Sequence, residues 1–431
     1  MSDFAFRPIV MIAAVTTVAL VTAALIACST VPSATPAQSN TPSRITGATA
    51  APYAPITKNR IQHQPVAGDV VELALSARQQ ALFVSAPDWQ DESRSALLRL
   101  DPATLAVQAR VPLKGKGFGV ALDDQANRLY LTQGFNGRLA VVDTQHNQVL
   151  ARIPLMEKVN FERAYKDKGF SDKRSAFLLK ALEGFKITED FPYKLREMVI
   201  DQRHHRVFAP GLGLGFDSVL FVVNTQTLTL EKTLPGFGYN AVGIALDEAR
   251  NRLFVSNMAG QIMVVDTQTL HVTQTLEVEA DQLLNLVYDP VGNRLFGVDQ
   301  GIDRDNWRNN HLERQYTHRS SGHRFFVLDA DTGKTIASLP TGQVPIGLKF
   351  APQRQRMYVT NRGGVRVDEG KGSLTVFDTR HYRELQTIAL PPHPNSMALA
   401  PSGEALYITL KNDANAKKAK QQESVVRIAL L

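Results

Sequence analysis

Between Gly301 and Arg324 the chain sets Trp307 and Tyr316 among Arg304, Arg308, Arg314, Arg319 and Arg324, with His311, His318 and His323 interleaved. Arginine mixed with aromatic rings suits base stacking and phosphate contact. The alternative is a solvated loop whose Trp307 packs on the body beneath it. Histidine intervals of seven and five match no compelling metal-ligand pattern. A second set is spread along the chain: Glu72, Glu197 and Asn285, with Lys349 and Ser396. Brought together, the first three can hold a divalent cation through oxygen, or offer an acid and a base to a substrate. The plainer outcome is a watery channel in which Lys349 partly neutralises the two carboxylates. Beyond these, the sequence shows no nucleophile elbow and no cysteine-based site, and no organic cofactor is expected. Gly211-Leu212-Gly213-Leu214-Gly215 is followed by no helical pattern, so it reads as a close-packed loop near the axis rather than a dinucleotide cradle.

The elements that must position these residues repeat. Asn127-Arg128-Leu129-Tyr130-Leu131-Thr132 followed by Val141-Val142-Asp143-Thr144-Gln145 returns as Asn251-Arg252-Leu253-Phe254-Val255-Ser256 followed by Val264-Val265-Asp266-Thr267-Gln268. An Asp or Asn recurs at Asp101, Asp143, Asn224, Asp266, Asp329 and Asp378, in steps of 42, 81, 42, 63 and 49. The unit is therefore 42 residues and the surplus is inserted loop. Each unit holds four short runs of β-branched and aromatic residues, separated by Asp, Asn and Thr turns. Four-stranded units repeated around an axis are propeller blades. Seven first strands are expected, beginning near Val71, Gly119, Glu197, Gly243, Asn285, Gly347 and Ser396. The fold class is all-β, a seven-bladed β-propeller. The last unit lacks its outer strand, and residues around Arg60 to Val66 are expected to supply it and remove an open edge.

Strand alternation then places the second set. Leu73, Val120, Met198, Ile244, Leu286, Leu348 and Met397 are the large apolar residues and belong between blades. Their neighbours Glu72, Gly119, Glu197, Gly243, Asn285, Gly347 and Ser396 are expected to line the channel, with Lys349 one level deeper.

In such a blade the loop from second to third strand and the link to the next blade leave on the same face. All the surplus length falls there: 87–96, 156–194, 211–218, 301–324, 362–373 and 412–424. Loops on a rigid scaffold are where binding is usually built. Within the longest, Phe177 to Gly184 is a helical pattern with Gly184 as its stop; it either caps a blade or serves as a lid or partner surface. The chain carries a formal net charge of +7, and the 301–324 insertion holds five basic against three acidic residues. A basic face attracts nucleic acid, acidic glycans or anionic headgroups.

At the start of the chain, Ile9 to Ala27 carries no charge and follows Arg7, an apolar segment of secretory type. It ends at Leu25-Ile26-Ala27-Cys28, and Cys28 is the only cysteine. This looks like a bacterial lipobox, with Cys28 lipidated; an uncleaved membrane span is the alternative. Residues 1–27 are then a signal peptide, 28–60 a Pro/Ser/Thr/Ala-rich tether, and 61–431 the propeller. The expected location is the periplasmic side of the cell envelope, with Ser29 favouring the outer membrane, and the expected state is a monomer.

Tyr358-Val359-Thr360-Asn361 is the tetrapeptide of the YVTN repeat, echoed by Thr132-Gln133 and Ser256-Asn257. Over roughly residues 61 to 431 the chain resembles the YVTN-repeat propellers, the YncE-like proteins of bacteria. The resemblance implies the propeller fold, and relatives that serve variously as extracytoplasmic binding proteins, nucleic-acid binders and quinoprotein subunits. The long insertions depart from the compact family pattern. The leading expectation is a non-enzymatic binding or scaffolding module whose partner is an envelope protein or a glycan. Its rivals are single-stranded nucleic-acid binding at the Trp307 loop, and a metal-assisted hydrolase or quinoprotein-like oxidoreductase at the channel carboxylates.

Overall fold

The computed structural model describes residues 53–365 and 370–430. The apolar N-terminal segment and Cys28 lie outside the described residues. Among those described, no helix is long and apolar enough to cross a membrane.

Seven antiparallel sheets of four strands follow one another along the chain, with an added strand in the third. The second blade shows the plan: Val120–Asp123, Arg128–Gln133, Arg138–Asp143 and Gln148–Pro154, paired in that order. Each first strand lies against the first strand of the next blade, and Pro394–Leu399 lies against Leu73–Ser76, which closes the ring. Burial follows from this layering. The second strand of blade one, Ala81–Ala86, is buried along its length because blades cover both its faces. The outer strand Val107–Pro112 is mostly exposed.

The turns are built as the sequence indicates. At all six recurring positions an Asp or Asn Oδ1 accepts two backbone N–H groups. Examples are Gln145 and His146 on Asp143 at 2.8 and 2.9 Å, and Gln268 and Thr269 on Asp266 at 3.0 and 2.6 Å. Leu228 and Leu270, four residues after Asn224 and Asp266, are left-handed, and their N–H groups close the turns on the carbonyls of those two residues.

Seven apolar clusters fill the seven gaps between blades, and each takes one large first-strand residue. Leu73, Val120, Met198, Ile244, Leu286, Leu348 and Met397 each fall in a different cluster. Burying a side chain of this size contributes about 1.5–3 kcal/mol. Blades are also stitched by hydroxyls at the Thr of the tetrapeptide and its equivalents. Thr132 Oγ1 donates to the Arg196 carbonyl at 3.1 Å, Ser256 Oγ to Leu283 at 2.7 Å, and Thr360 Oγ1 to Asn395 at 2.7 Å.

The ring closes as expected. Ile61–Ala67 pairs antiparallel with Glu423–Ala429, from Ile61 opposite Ile428 to Ala67 opposite Glu423. Pro65, which has no N–H to give, is tolerated because this strand is an outer edge.

Two expectations are corrected. The glycines at Gly119 and Gly243 face neighbouring chain rather than open channel. A Cβ on Gly119 would lie 1.8 Å from the Arg196 carbonyl oxygen, so the residue is needed for blade-to-blade approach. The Gly211–Gly215 stretch is largely strand, not loop. Arg206–Gly213 extends beyond its blade and pairs with Tyr193–Leu195 at Gly211, Leu212 and Gly213.

Candidate functional site

The first-strand polar residues come together. Glu72, Glu197, Asn285, Lys349 and Ser396 line one axial cavity of about 210 Å³ with Arg196 and the edges of the apolar residues beside them. They converge because each opens, or sits in, a first strand at the narrow end of its blade.

Glu72 is 5% exposed. Its carboxylate accepts the Val120 N–H at 3.1 Å. Burial first, then the charge of Glu197, push the Glu72 carboxyl well above the usual range, against the opposing pull of Arg196. The two carboxyls lie near enough for each to act on the other. This is the arrangement in which one member keeps a proton that an isolated carboxyl would have lost. Burial lowers the Lys349 ammonium, while Glu197 and Glu72 resist that shift. Asn285 Nδ2 donates to the Ile346 carbonyl, and its Oδ1 has no partner among the described residues. The site thus offers two carboxyls, one ammonium and one free amide oxygen, a polar well able to take a hydrogen-bonding group. Among the described residues, no three His, Cys, Asp or Glu side chains are grouped as a cation cage.

Above the well sit the insertions. The 156–194 segment folds into two helices. Phe161–Asp167 is capped by Asn160, whose Oδ1 accepts the Arg163 N–H at 3.1 Å. Asp172–Glu183 is capped by Ser171, whose Oγ accepts the Arg174 N–H at 3.1 Å, and it buries Leu178 and Leu182 one turn apart. Gly184 does follow the second helix. In the 301–324 segment the helix Asp305–Leu312 turns Arg308 and His311 inward. The insertions hold one another. His311 Nε2 and Asp217 Oδ1 are 2.8 Å apart, Arg174 Nη2 donates to the Gly215 carbonyl at 2.8 Å, and Ser171 Oγ bonds Glu313. Beneath them Phe161, Tyr165, Leu178, Leu182 and Phe216 form an apolar cluster reached by Trp307.

This placement divides the residues read from the sequence as one stacking surface. Tyr316 is 4% exposed and lies face-on to the Arg308 guanidinium, 4.2 Å from its ring centroid. Trp307 packs edge-on against Phe177 at 5.2 Å. Arg304 and Arg308 are buried at 6% and 0% exposure. Arg319 reaches Glu277 at 2.6 Å, and Arg324 is turned to Ser338 on its own sheet. Arg314 alone of the set remains on the surface without a side-chain bond described. The packing alternative therefore describes both rings, because the roof needs apolar bulk where it meets the propeller. The histidines are tied as well: His318 bridges Asp281 at 3.2 Å and Asp305 at 2.7 Å, and His323 Nδ1 accepts the Val344 N–H at 3.1 Å.

What sequence reading missed is that Arg196 and Arg362 join Arg304 near the channel mouth. Burial and the charge of Arg196 together hold Arg304 and Arg362 down to about 10. Burial raises the Tyr239 hydroxyl to about 12, and Arg304 and Arg308 lie near enough to oppose that shift. Arg196, Arg304 and Arg362 come from the third, fifth and sixth blades, so no spacing in the chain signals their meeting.

No family model matches the chain. It is 24% identical to YncE of Salmonella typhimurium over 362 residues, 83% of this chain and 88% of that protein. With YncE of Escherichia coli K12 it shares 24% over 361 residues, at the same coverage. Both carry the description "uncharacterized". Among solved structures, Kuenenia stuttgartiensis hydrazine synthase superposes with a TM-score of 0.59 at 15% identity, over 85% of this chain and 97% of that one, a likeness of fold alone. The seven-bladed ring and the similarity along most of both chains fit a YncE-like propeller.

Proposed function

We propose that this chain is a non-enzymatic binding or scaffolding propeller of the bacterial cell envelope, held by lipid at Cys28, that works through its loop-rich face. The observation that carries the reading is the inequality of the two rims. One rim ends in tight turns closed by Asp101, Asp143, Asn224, Asp266, Asp329 and Asp378 on their own backbone N–H groups. The other carries every long insertion, with the helices Phe161–Asp167, Asp172–Glu183 and Asp305–Leu312 braced against one another. Ordered insertions on a scaffold that closes without them are extra structure in need of a purpose, and binding is the common one. The similarity to YncE supports the propeller frame.

Tyr316 is buried and Trp307 is half-buried against Phe177, so the nucleic-acid alternative draws its support from charge more than from stacking. The carboxyl pair is what the enzymatic alternative keeps.

Two measurements test the reading. A clickable fatty acid supplied to cells should label the wild-type chain and not Cys28→Ser; equal labelling of both would end the lipid claim. Paired charge reversals on the loop-rich rim (Arg314→Glu with Lys180→Glu) should abolish recovery of the envelope component that copurifies with wild type. Reversals on the opposite rim (Arg78→Glu with Arg203→Glu) should not. Loss confined to the second pair would place the working surface on the wrong face.

A further inference from the structure

Four guanidinium groups near the mouth of the axial cavity each hold at least one buried nitrogen with no hydrogen-bond partner among the described residues. Arg308 is 0% exposed, and none of its three side-chain nitrogens has a hydrogen-bond partner among the described residues. Its nearby carboxylate, Asp305, stands 3.5 Å away through Oδ1, outside hydrogen-bond geometry, while the Oδ2 of that residue is taken by His318. Arg304, at 6% exposure, gives two nitrogens to the amide oxygens of Gln282 and Gln300 at 3.4 and 2.9 Å, and its Nε to nothing. The Nε atoms of Arg196 and Arg362 are buried and have no partner among the described residues. These groups feel one another: Arg196 acts on both Arg304 and Arg362, and Arg308 on Arg304. Arginine stays charged at any physiological pH, so it cannot relieve the crowding by losing a proton. Carboxylates act on them from the side, Glu72 on Arg196, Asp305 on Arg308, Asp299 on Arg304 and Glu423 on Arg362. Yet none meets the orphaned nitrogens in hydrogen-bond geometry, and buried donors left so are unfavourable unless an acceptor completes them.

The surroundings define that anion. Arg196 also lines the well that holds Glu72 and Glu197, and those carboxyls repel a second negative group from the floor. Negative charge therefore belongs at the mouth and not below it. Arg308, on the inner side of the Asp305–Leu312 helix, and Arg304, at its N-cap, are both buried, too recessed for the flank of a polymer. Planar guanidinium forks match carboxylate and phosphate oxygens in pairs.

We propose that the channel mouth is a receptor for a compact oxyanion, a carboxylate or phosphate group gripped by Arg196, Arg304 and Arg362 with Arg308 behind them. This rests on the reading of the loop-rich face as the binding face and names the chemistry that the face recognises. The anion replaces water at the orphaned nitrogens, and any donor group on the same ligand can reach down to the Glu72–Glu197 pair.

The test is calorimetric titration of the purified full chain with inorganic phosphate and with citrate, at fixed ionic strength. Saturable binding of at least one is expected, weakened about tenfold or more in Arg304→Gln and Arg362→Gln. Arg324→Gln, whose guanidinium is spent on Ser338, should bind as wild type. Arg196→Gln, on the partly exposed channel wall, serves if those variants fail to fold. A single-stranded oligonucleotide and an acidic oligosaccharide are then offered in competition with the bound anion. Displacement assigns the oxyanion to the end of a polymer, and no displacement assigns it to a free small molecule. Absence of saturation by both anions overturns the site, as does binding that survives the arginine substitutions or falls equally in Arg324→Gln. An oligonucleotide that binds while neither phosphate nor citrate competes overturns the ligand class. Success here with failure of the rim reversals would sink the envelope-binding reading and leave the anion site standing.

Discussion

Thr409 Oγ1 donates to the Val71 carbonyl at 2.8 Å, although 338 residues separate them. The same hydroxyl accepts the Ser396 N–H at 3.1 Å. It ties the last blade to the first at the closing seam of the ring, beside the short stretch between Ala67 and Leu73 that links the two sheets along the chain. Thr409 is buried, so Thr409→Val, which preserves shape, leaves the Ser396 N–H unsatisfied and the Val71 carbonyl with only the Asn395 side-chain amide, at 3.0 Å. The expected loss is about 1–3 kcal/mol in chemical denaturation, with Thr409→Ser retaining most of the stability. A Thr409→Val chain as stable as wild type would show that the hydroxyl contributes nothing net.

Glu72 supplies a pH dependence of defined sign. Its carboxyl is raised in the folded state, chiefly by burial and then by Glu197. Between its unfolded value and that raised value, the folded chain binds more protons than the unfolded one, so stability falls as pH rises through this window. Glu72→Gln can still accept the Val120 N–H and donate to Glu197. The variant should have a higher melting temperature at pH 7 to 8 than wild type, and the gap should close near pH 4. A gap that widens toward acid would contradict the assignment.

His318 works in the other direction. The Asp305 hydrogen bond first, and the Asp281 one after it, raise the imidazole above its usual value against the effect of burial. Its stabilising share is fully present below about pH 6.5 and is lost as pH rises through the folded value. His318→Gln should therefore lower the melting temperature at pH 5.5 and leave it nearly unchanged at pH 8.5.

Asp266 closes a turn by accepting the N–H groups of Gln268 and Thr269 and the Thr269 hydroxyl at 2.9 Å. Asp266→Ala should cost about 1 kcal/mol, and Asp266→Asn about half as much, measured by urea unfolding. The equivalent change at Asp329, whose bonds are the same in kind, should cost a similar amount.

Phe216 is 5% exposed and meets Tyr165, Phe170 and Phe161 at ring distances of 5.1, 5.8 and 6.3 Å. Removing it empties the space beneath both helices of the 156–194 insertion. Phe216→Ala typically costs about 3–5 kcal/mol in such a setting. Here it should open the roof before the ring, so limited proteolysis should cut within 156–194 while the blades remain protected.

The ring was legible because its signals are local and repeated. A side chain such as Asp143 or Asp266 makes the same turn wherever it occurs, and a residue such as Leu73 or Leu348 is large where the blades need bulk. The axial set was legible for the same reason, since Glu72, Glu197 and Asn285 occupy equivalent positions in their units. The insertions escaped because they lack a repeat. The helix through Phe177 was anticipated, but the one at Phe161–Asp167 and the inward turn of Arg308 were not. Periodicity can mark a helix as amphipathic, yet Asp305–Leu312 buries an arginine and a histidine, which no hydropathy pattern announces. Arg196, Arg304 and Arg362 meet only through tertiary structure. Trp307 and Tyr316 looked like contact residues because composition does not tell a ring that meets a ligand from one that meets a neighbouring loop.

The pairing of Ile61–Ala67 with Glu423–Ala429 also orders events during synthesis. The strand that completes the last sheet leaves the ribosome among the first, and its mate is made more than three hundred and fifty residues later. Through that interval the early strand must wait, and a product cut short before Glu423 never receives its partner. Such fragments would carry six finished sheets and one bereft of its third member, a natural target for proteases.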